Sequence, residues 1–409
     1  MKRLSGKILL LLVLVVAFGS CGETRVNEKK AKYVFYFIGD GMGFSHIALT
    51  EAYKATKEGE IGSLPLRFTQ FPAMGMATSY SASNYITCSS AAGTALSTGH
   101  KTNNGMLGVA PDSSNLESIS YKIHKAGFPV GIMTSVTIDH ATPAAFYANS
   151  VKRSDYYGIA KQLPLSGFEF FGGGGFQGAG NKLEQEKSLY DIAKEGGYEF
   201  AYGLEDFKSK KENAEKIILF QQEDKKNNIL PYAADYKEND LKLPEVVESA
   251  IEFLESEKGF FIMAEGGKID WAAHGNDVAG TIYETLDFDA AIEVAYNFYL
   301  KHPDETLIVV TADHETGGVA LGYKNGYDFD LSVVLNQKEN NKDVNVDNYM
   351  SREAIDSLSK KAMIGWTTLS HTGGAVPVFA IGAGSENFIG RQDNTDIPKK
   401  ICKAMGITY

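Results

Sequence analysis

Five apolar runs narrow the folds open to this chain: "YVFYFI" at 33–38, "VGIMTS" at 130–135, "FFIMA" at 260–264, "LIVVT" at 307–311 and "PVFAI" at 377–381. They lack the apolar/polar alternation of a strand with one wet face, so each reads as a strand buried on both faces. Such strands must be covered on both sides, and helical patterns between the runs supply the cover. The reading is an α/β fold, a three-layer α/β/α sandwich around a largely parallel central sheet. Length alone, 409 residues, allows one large domain or two or three smaller ones.

Outside the runs the chain is uneven. Lys2, Arg3 and Lys7 precede the apolar stretch "ILLLLVLVVAFG", and Ser20 and Cys21 follow it, the pattern of an export leader over 1–20. The stretch is shorter than the roughly 20 residues of a membrane span. "FGSC" resembles a bacterial lipobox, with Phe18 where leucine is usual, which makes Cys21 the lipidated first residue of the mature chain. The expectation is an exported lipoprotein, periplasmic or outer-membrane-associated, with 21–31 as a polar tether. Residues 32–409 then form a single domain, with insertions near 164–250 and 323–362 that read first as solvated helices and loops and, alternatively, as a rim over the site.

Losing 1–20 removes three of 40 basic residues and none of 51 acidic ones, leaving a net charge of −14. Nucleic acid is an unsuitable partner for so acidic a chain. With Cys21 lipidated, Cys88 and Cys402 remain, and their pairing is left open. The "GGGG" run after Phe171 lacks the Lys-Ser/Thr ending of a phosphate loop and reads as a backbone feature beside the sheet.

Ionisable residues cluster where the strands end. "YVFYFIGDGMG" gives Asp40; "VGIMTSVTIDHATPAAF" gives Asp139, His140 and Thr142; "FFIMAEGGKIDWAAH" gives Glu265, Asp270 and His274; "LIVVTADHETGG" gives Asp313 and His314. Ligands of open α/β sheets bind outside the carboxyl ends of the strands, so these segments converge on one site. Asp270 and His274, four apart on a helix, project from one face and can grip one ion, with His371 of "SHTGG" as a third ligand. Asp313, His314 and Asp40 suit a second. Imidazole mixed with carboxylate suits zinc, whereas the oxygens of Glu265, Thr142 and Asp40 suit a hard cation such as magnesium.

The stretch "TCSSAAGTALSTG", 87–99, adds hydroxyls at what reads as a helix start, with no base nearby in sequence to activate them. A cation beside a hydroxyl can play the part of the missing base, and the helix N-terminus favours an anion at its head.

Taken together, "FIGDGMG", "SSAAGTALSTG", "DHATPAAF" followed by Arg153, "EGGKIDWAAH", "TADHETGG" and "HTGG" resemble, in order and over nearly all of 32–409, the motifs of the alkaline phosphatase family. The resemblance implies hydrolysis of phosphate monoesters through a phosphoserine, and maps the nucleophile to Ser89, ten residues before the glycine of "STG". It implies zinc at Asp270, His274 and His371, a second zinc at Asp40, Asp313 and His314 beside Ser89, and magnesium or a third zinc at Asp40, Thr142 and Glu265. Arg153, eleven residues after Thr142, would bind two phosphate oxygens through its guanidinium fork. Thr87 and Ser90 become bystanders, and a homodimer is compatible with the family.

Three positions depart from the family pattern. Cys88 stands where many members have aspartate, which loosens the hydrogen bonding expected to position Arg153. His140 stands where some members have aspartate, leaving the third metal open between magnesium and zinc. Trp271 occupies a position that is lysine or histidine elsewhere, and its expected role is aromatic contact on the substrate side. A sulfatase is excluded, since "CSSAA" lacks the proline and arginine of that signature. A phosphodiesterase fits Arg153 poorly, and a lipoprotein that captures phosphate or metal without turnover would have no use for a nucleophile.

Overall fold

The computed structural model describes residues 30–409 apart from 181–182, 184, 222–227, 324–326, 328 and 336–351. The leader, Cys21 and most of the tether lie outside the described residues, as does much of the 323–362 segment. Its strands are β1 Tyr33–Gly39, β2 Ala73–Thr78, β3 Val130–Thr134, β4 Phe170–Gly173, β5 Glu199–Tyr202, β6 Ile217–Phe220, β7 Phe260–Gly266, β8 Thr306–Thr311, β9 Glu315–Thr316, β10 Val319–Leu321, β11 Ile364–Trp366, β12 His371–Thr372, β13 Val376–Gly382 and β14 Gly390–Asp393.

Ten of these form one sheet in the order β14-β2-β13-β8-β1-β7-β3-β4-β6-β5. β1 lies parallel between β7 and β8, in register Ile38↔Glu265 and Ile38↔Thr311. The remaining pairs are parallel too, except that β13 runs antiparallel to both β8 and β2. That single reversal matters for the site. The entry to β13, just after His371, lies at the edge where its neighbours deliver their carboxyl ends.

The sheet is covered as its composition requires. β1, β3, β7 and β8 are buried along their whole length. Alternate β1 side chains serve opposite faces. Phe35 and Phe37 meet Phe298 and Phe288 of the helix Val278–Lys301, edge to face at 5.6 and 5.9 Å. Tyr36 packs against Phe146 and donates a hydroxyl hydrogen bond to the Leu96 carbonyl of the helix Ser89–Thr98. Three layers, α/β/α, result.

The 164–250 segment differs from both readings, solvated helices and loops or a rim. β4, β6 and β5 carry the central sheet outward, and the helix Leu243–Leu254 covers them with Leu243, Val246, Val247, Ala250 and Leu254. Glycine is required at Gly172, because a Cβ there would lie 2.4 Å from Val246 Cγ1. The glycine run is thus a strand end under a helix. Cys88 and Cys402 are both free thiols.

Candidate active site

Each candidate side chain is brought to the carboxyl edge by the element that ends there. Asp40 follows β1 directly, and the left-handed backbone of Gly41, φ +73°, turns the chain so that its N–H donates to Asp313 Oδ1 at 3.0 Å. Glu265 is the penultimate residue of β7, beside Thr134 of β3. Asp270 and His274 lie on one helix, Lys268–His274, with His274 Nε2 3.4 Å from Asp270 Oδ2. The short β9–β12 ribbon pairs His371 with Thr316, two residues beyond His314. The His314 and His371 rings consequently stack, centroids 3.6 Å apart.

Three groups of possible ligands result: Asp270, His274 and His371; Asp40, Asp313 and His314; and Asp40, His140 and Glu265. In the first, His274 Nε2 and His371 Nε2 face each other at 3.2 Å. Their Nδ1 atoms lie against the carbonyls of Leu369 at 2.6 Å and Thr87 at 2.8 Å. A carbonyl only accepts, so each Nδ1 carries the hydrogen and each neutral ring presents a bare Nε2 lone pair to the other. Two lone pairs at that separation repel unless a cation lies between them.

The second group has the same logic. Thr316 donates its hydroxyl hydrogen to Asp270 Oδ1, so it accepts from His314 Nδ1 at 3.2 Å. His314 Nε2 is then bare, 3.3 Å from Asp40 Oδ1, 3.2 Å from Asp313 Oδ2 and 3.3 Å from Ser89 Oγ. Both Asp40 oxygens, Asp313 Oδ2, Glu265 Oε1, Thr142 Oγ1 and His140 Nδ1 are buried with no hydrogen-bond partner among the described residues. Buried polar atoms are almost always satisfied, so this concentration at one edge fits cation ligands.

The electrostatics show the same deficit of positive charge. Burial, then Asp313, Asp270 and Glu265, hold Asp40 well above the usual carboxylate range. Burial chiefly pushes Glu265 up to about 8 and Asp313 up to about 7. Burial also raises Asp270, but the His274 hydrogen bond and the His314, His274 and His371 charges outweigh it and leave Asp270 low. Burial lowers His314 and His371, and takes His140 down to about 3. The Asp270 hydrogen bond raises His274. Behind larger causes, Arg153 acts to lower His140, His274, His314, His371 and Cys88, which puts its charge within reach of all three groups.

The alkaline phosphatase family model matches residues 31–169 and 175–407. This chain belongs to the alkaline phosphatase family. It is, with that membership, a phosphatase. It is 31% identical to alkaline phosphatase 3 of Bacillus subtilis (strain 168), over 99% of this chain and 98% of the relative. It is similar to the alkaline phosphatase from the Antarctic bacterium TAB5, at 32% identity and a TM-score of 0.76, covering 93% of this chain and 100% of that one. A histidine-to-glutamate mutant of that TAB5 alkaline phosphatase, described with Mg bound in its M3 site, matches at the same identity and TM-score, over 93% of this chain and 99% of its own.

Set against the family motifs, the structure brings together Asp40, Ser89, His140, Glu265, Asp270, His274, Asp313, His314 and His371. Asp139 is different. Although it ends the same segment as His140, both its oxygens accept backbone N–H groups, from Gln177 at 2.9 Å and Gly178 at 2.7 Å, so it fastens a loop. His140 joins the third cluster, and Trp271 packs edge to face against it at 5.8 Å. Thr87, expected to be a bystander, orients His371 through its carbonyl. Thr316 escaped the sequence reading, although it lies within "TADHETGG", because a hydroxyl gives no sign of which ring it holds.

Proposed function

We propose that this phosphatase hydrolyses phosphate monoesters through a phosphoserine at Ser89, with divalent cations held by the three clusters. The observation that carries the reading is the set of bare imidazole nitrogens and unpartnered carboxylate oxygens gathered around the Ser89 hydroxyl. Nitrogen with oxygen donors suits zinc at Asp270, His274 and His371 and at Asp40, Asp313 and His314. Asp40, Glu265 and Thr142 suit magnesium, while His140 in the same cluster admits zinc.

Cations at these positions supply positive charge that lowers the pKa of a neighbouring hydroxyl and offsets charge growing on phosphate oxygens. Ser89 Oγ, at the N-terminus of the helix Ser89–Thr98 and against His314 Nε2, attacks phosphorus, and the ester P–O bond breaks as the alcohol leaves with a proton. Water then attacks the phosphoserine, and inorganic phosphate departs as Ser89 regains its hydrogen. Arg153 forks onto two non-bridging oxygens, and a monoester dianion, with three such oxygens and two charges, suits it better than a diester monoanion with two oxygens and one charge. The helix N–H groups at Ser89 and beyond favour the same anion.

For localisation, we propose that Cys21 carries a lipid after export, supported by the 1–21 sequence pattern; acyl labelling lost in Cys21→Ala tests it. The enzymatic test is p-nitrophenyl phosphate turnover at alkaline pH before and after chelation, then with zinc and magnesium restored. Turnover that chelation abolishes and the two metals rescue together supports the reading. Turnover indifferent to chelation, or faster on a phosphodiester than on a monoester, overturns it.

A further inference from the structure

A turn outside the clusters ties the nucleophile to the arginine. Met106 N–H donates to Asn103 C=O at 3.1 Å, with Gly105 at the third position and φ +86°, a left-handed conformation that favours glycine. Asn104, at the second position, is exposed, yet both ends of its amide bond the strand-like segment leading to Ser89. Cys88 N–H donates to Asn104 Oδ1 at 3.1 Å, and Asn104 Nδ2 donates to Ile86 O at 3.0 Å. Asn104 N–H in turn donates to Ser83 Oγ at 3.0 Å.

Gly105 extends the connection in both directions. Its N–H donates to Cys88 Sγ at 3.2 Å, and its C=O accepts from Arg153 N–H at 2.8 Å. Leu107 and Ser150 exchange two further backbone bonds, at 2.9 and 2.7 Å, which keep 105–107 in register with 150–153. The backbones of Ser89 and Arg153 are therefore held to one turn, from opposite sides.

We propose that Asn104 and Cys88 are positioning residues that use the Gly105 peptide to set the Arg153 segment relative to Ser89, doing here what the aspartate before the nucleophile is expected to do in other members. The proposal rests on the reading of Arg153 as the phosphate-binding arginine. It accounts for the tolerance of a thiol at position 88: the position needs an acceptor for the Gly105 N–H, and sulfur provides one. A misplacement of about 1 Å can cost as much as roughly 100-fold in rate, so an exposed asparagine can matter to catalysis without mattering to stability.

The experiment uses the metal-loaded enzyme and compares N104A, C88A, C88S, R153A and the N104A/R153A double variant. It reads kcat and KM for p-nitrophenyl phosphate, the inhibition constant of inorganic phosphate, and thermal melting. N104A and C88A are expected to lower kcat/KM by roughly 10- to 100-fold and to weaken phosphate inhibition, with melting close to wild type. C88S, which keeps an acceptor, retains most of the activity. Because the effect runs through Arg153, adding N104A to R153A costs far less than adding it to wild type.

Wild-type kcat/KM and phosphate inhibition in N104A overturn the proposal, and so does the same fold-loss in both backgrounds. An R153A enzyme that still binds phosphate as wild type does refutes the arginine assignment and the coupling with it. The two failures differ in which single variant is silent.

Discussion

His274 Nε2 and His371 Nε2 face each other at 3.2 Å, each ring locked by a carbonyl against its Nδ1. Neither nitrogen can donate to the other in the neutral rings, and a cation or a proton held between them makes the arrangement favourable. The site is thus built for an ion in its supports, Thr87 and Leu369, as well as in its ligands.

The same principle singles out Thr316. Its hydroxyl links His314 Nδ1 to Asp270 Oδ1, one ring of the second cluster to one carboxylate of the first. Thr316→Val keeps the shape and removes the link. Metal affinity is expected to fall by about 10- to 100-fold, measured by metal analysis after dialysis against graded zinc. Undiminished zinc retention would show that the link is dispensable.

Stability of the chelated protein should fall as pH rises from about 7 to about 8, above the range in which the lowered His140, His314 and His371 add stability with rising pH. Glu265 lies at about 8 and Asp313 at about 7, both raised chiefly by burial above their ordinary values of 4.5 and 3.8. A raised carboxyl pKa means the folded state holds its proton more tightly than the unfolded one. The stabilisation is complete below the unfolded values and is lost as pH climbs through the folded ones. Bound cations hold these groups as anions and remove the loss. Melting temperatures with chelator and with metal, taken at fine steps from pH 7 to 8, check this; a flat or rising curve in chelator contradicts it.

At the third cluster, His140→Asp exchanges a nitrogen donor for oxygen beside Asp40 and Glu265. Preference should move from zinc toward magnesium. Metal content after dialysis against equal concentrations of both ions reads the change. An unchanged ratio would place His140 outside the ligand set.

The sequence made the middle of the fold legible. β1, β3, β7, β8 and β13 are apolar on both faces, and burial on both sides leaves that pattern. The edges were not legible, because "GRQD" of β14 and "AMGMAT" of β2 owe their conformation to the partner strand rather than to side-chain preference. The 164–250 segment hid "FFGG", "EFAY" and "IILF" for a different reason: each strand is only four residues long and set among charged stretches. At the site, residue type revealed the ligands but not how each is used. Asp139 and Asp40 look alike in sequence, yet one meets two loop amides and the other meets only imidazole and carboxylate. The reversal of β13, which delivers His371, leaves no mark in "PVFAI".

The central claim is that Ser89 accepts the phosphoryl group. Ser89→Ala should lower kcat by at least about 1,000-fold, as expected when a covalent nucleophile is removed. The most direct measurement is acid quenching of the metal-loaded enzyme during turnover of p-nitrophenyl phosphate, followed by peptide mass spectrometry. The account predicts a phosphoryl group on Ser89 in the peptide containing "TCSSAAG", absent without substrate and absent in Ser89→Ala. Full turnover by Ser89→Ala, or the phosphoryl group found on Thr87 or Ser90 instead, would contradict it.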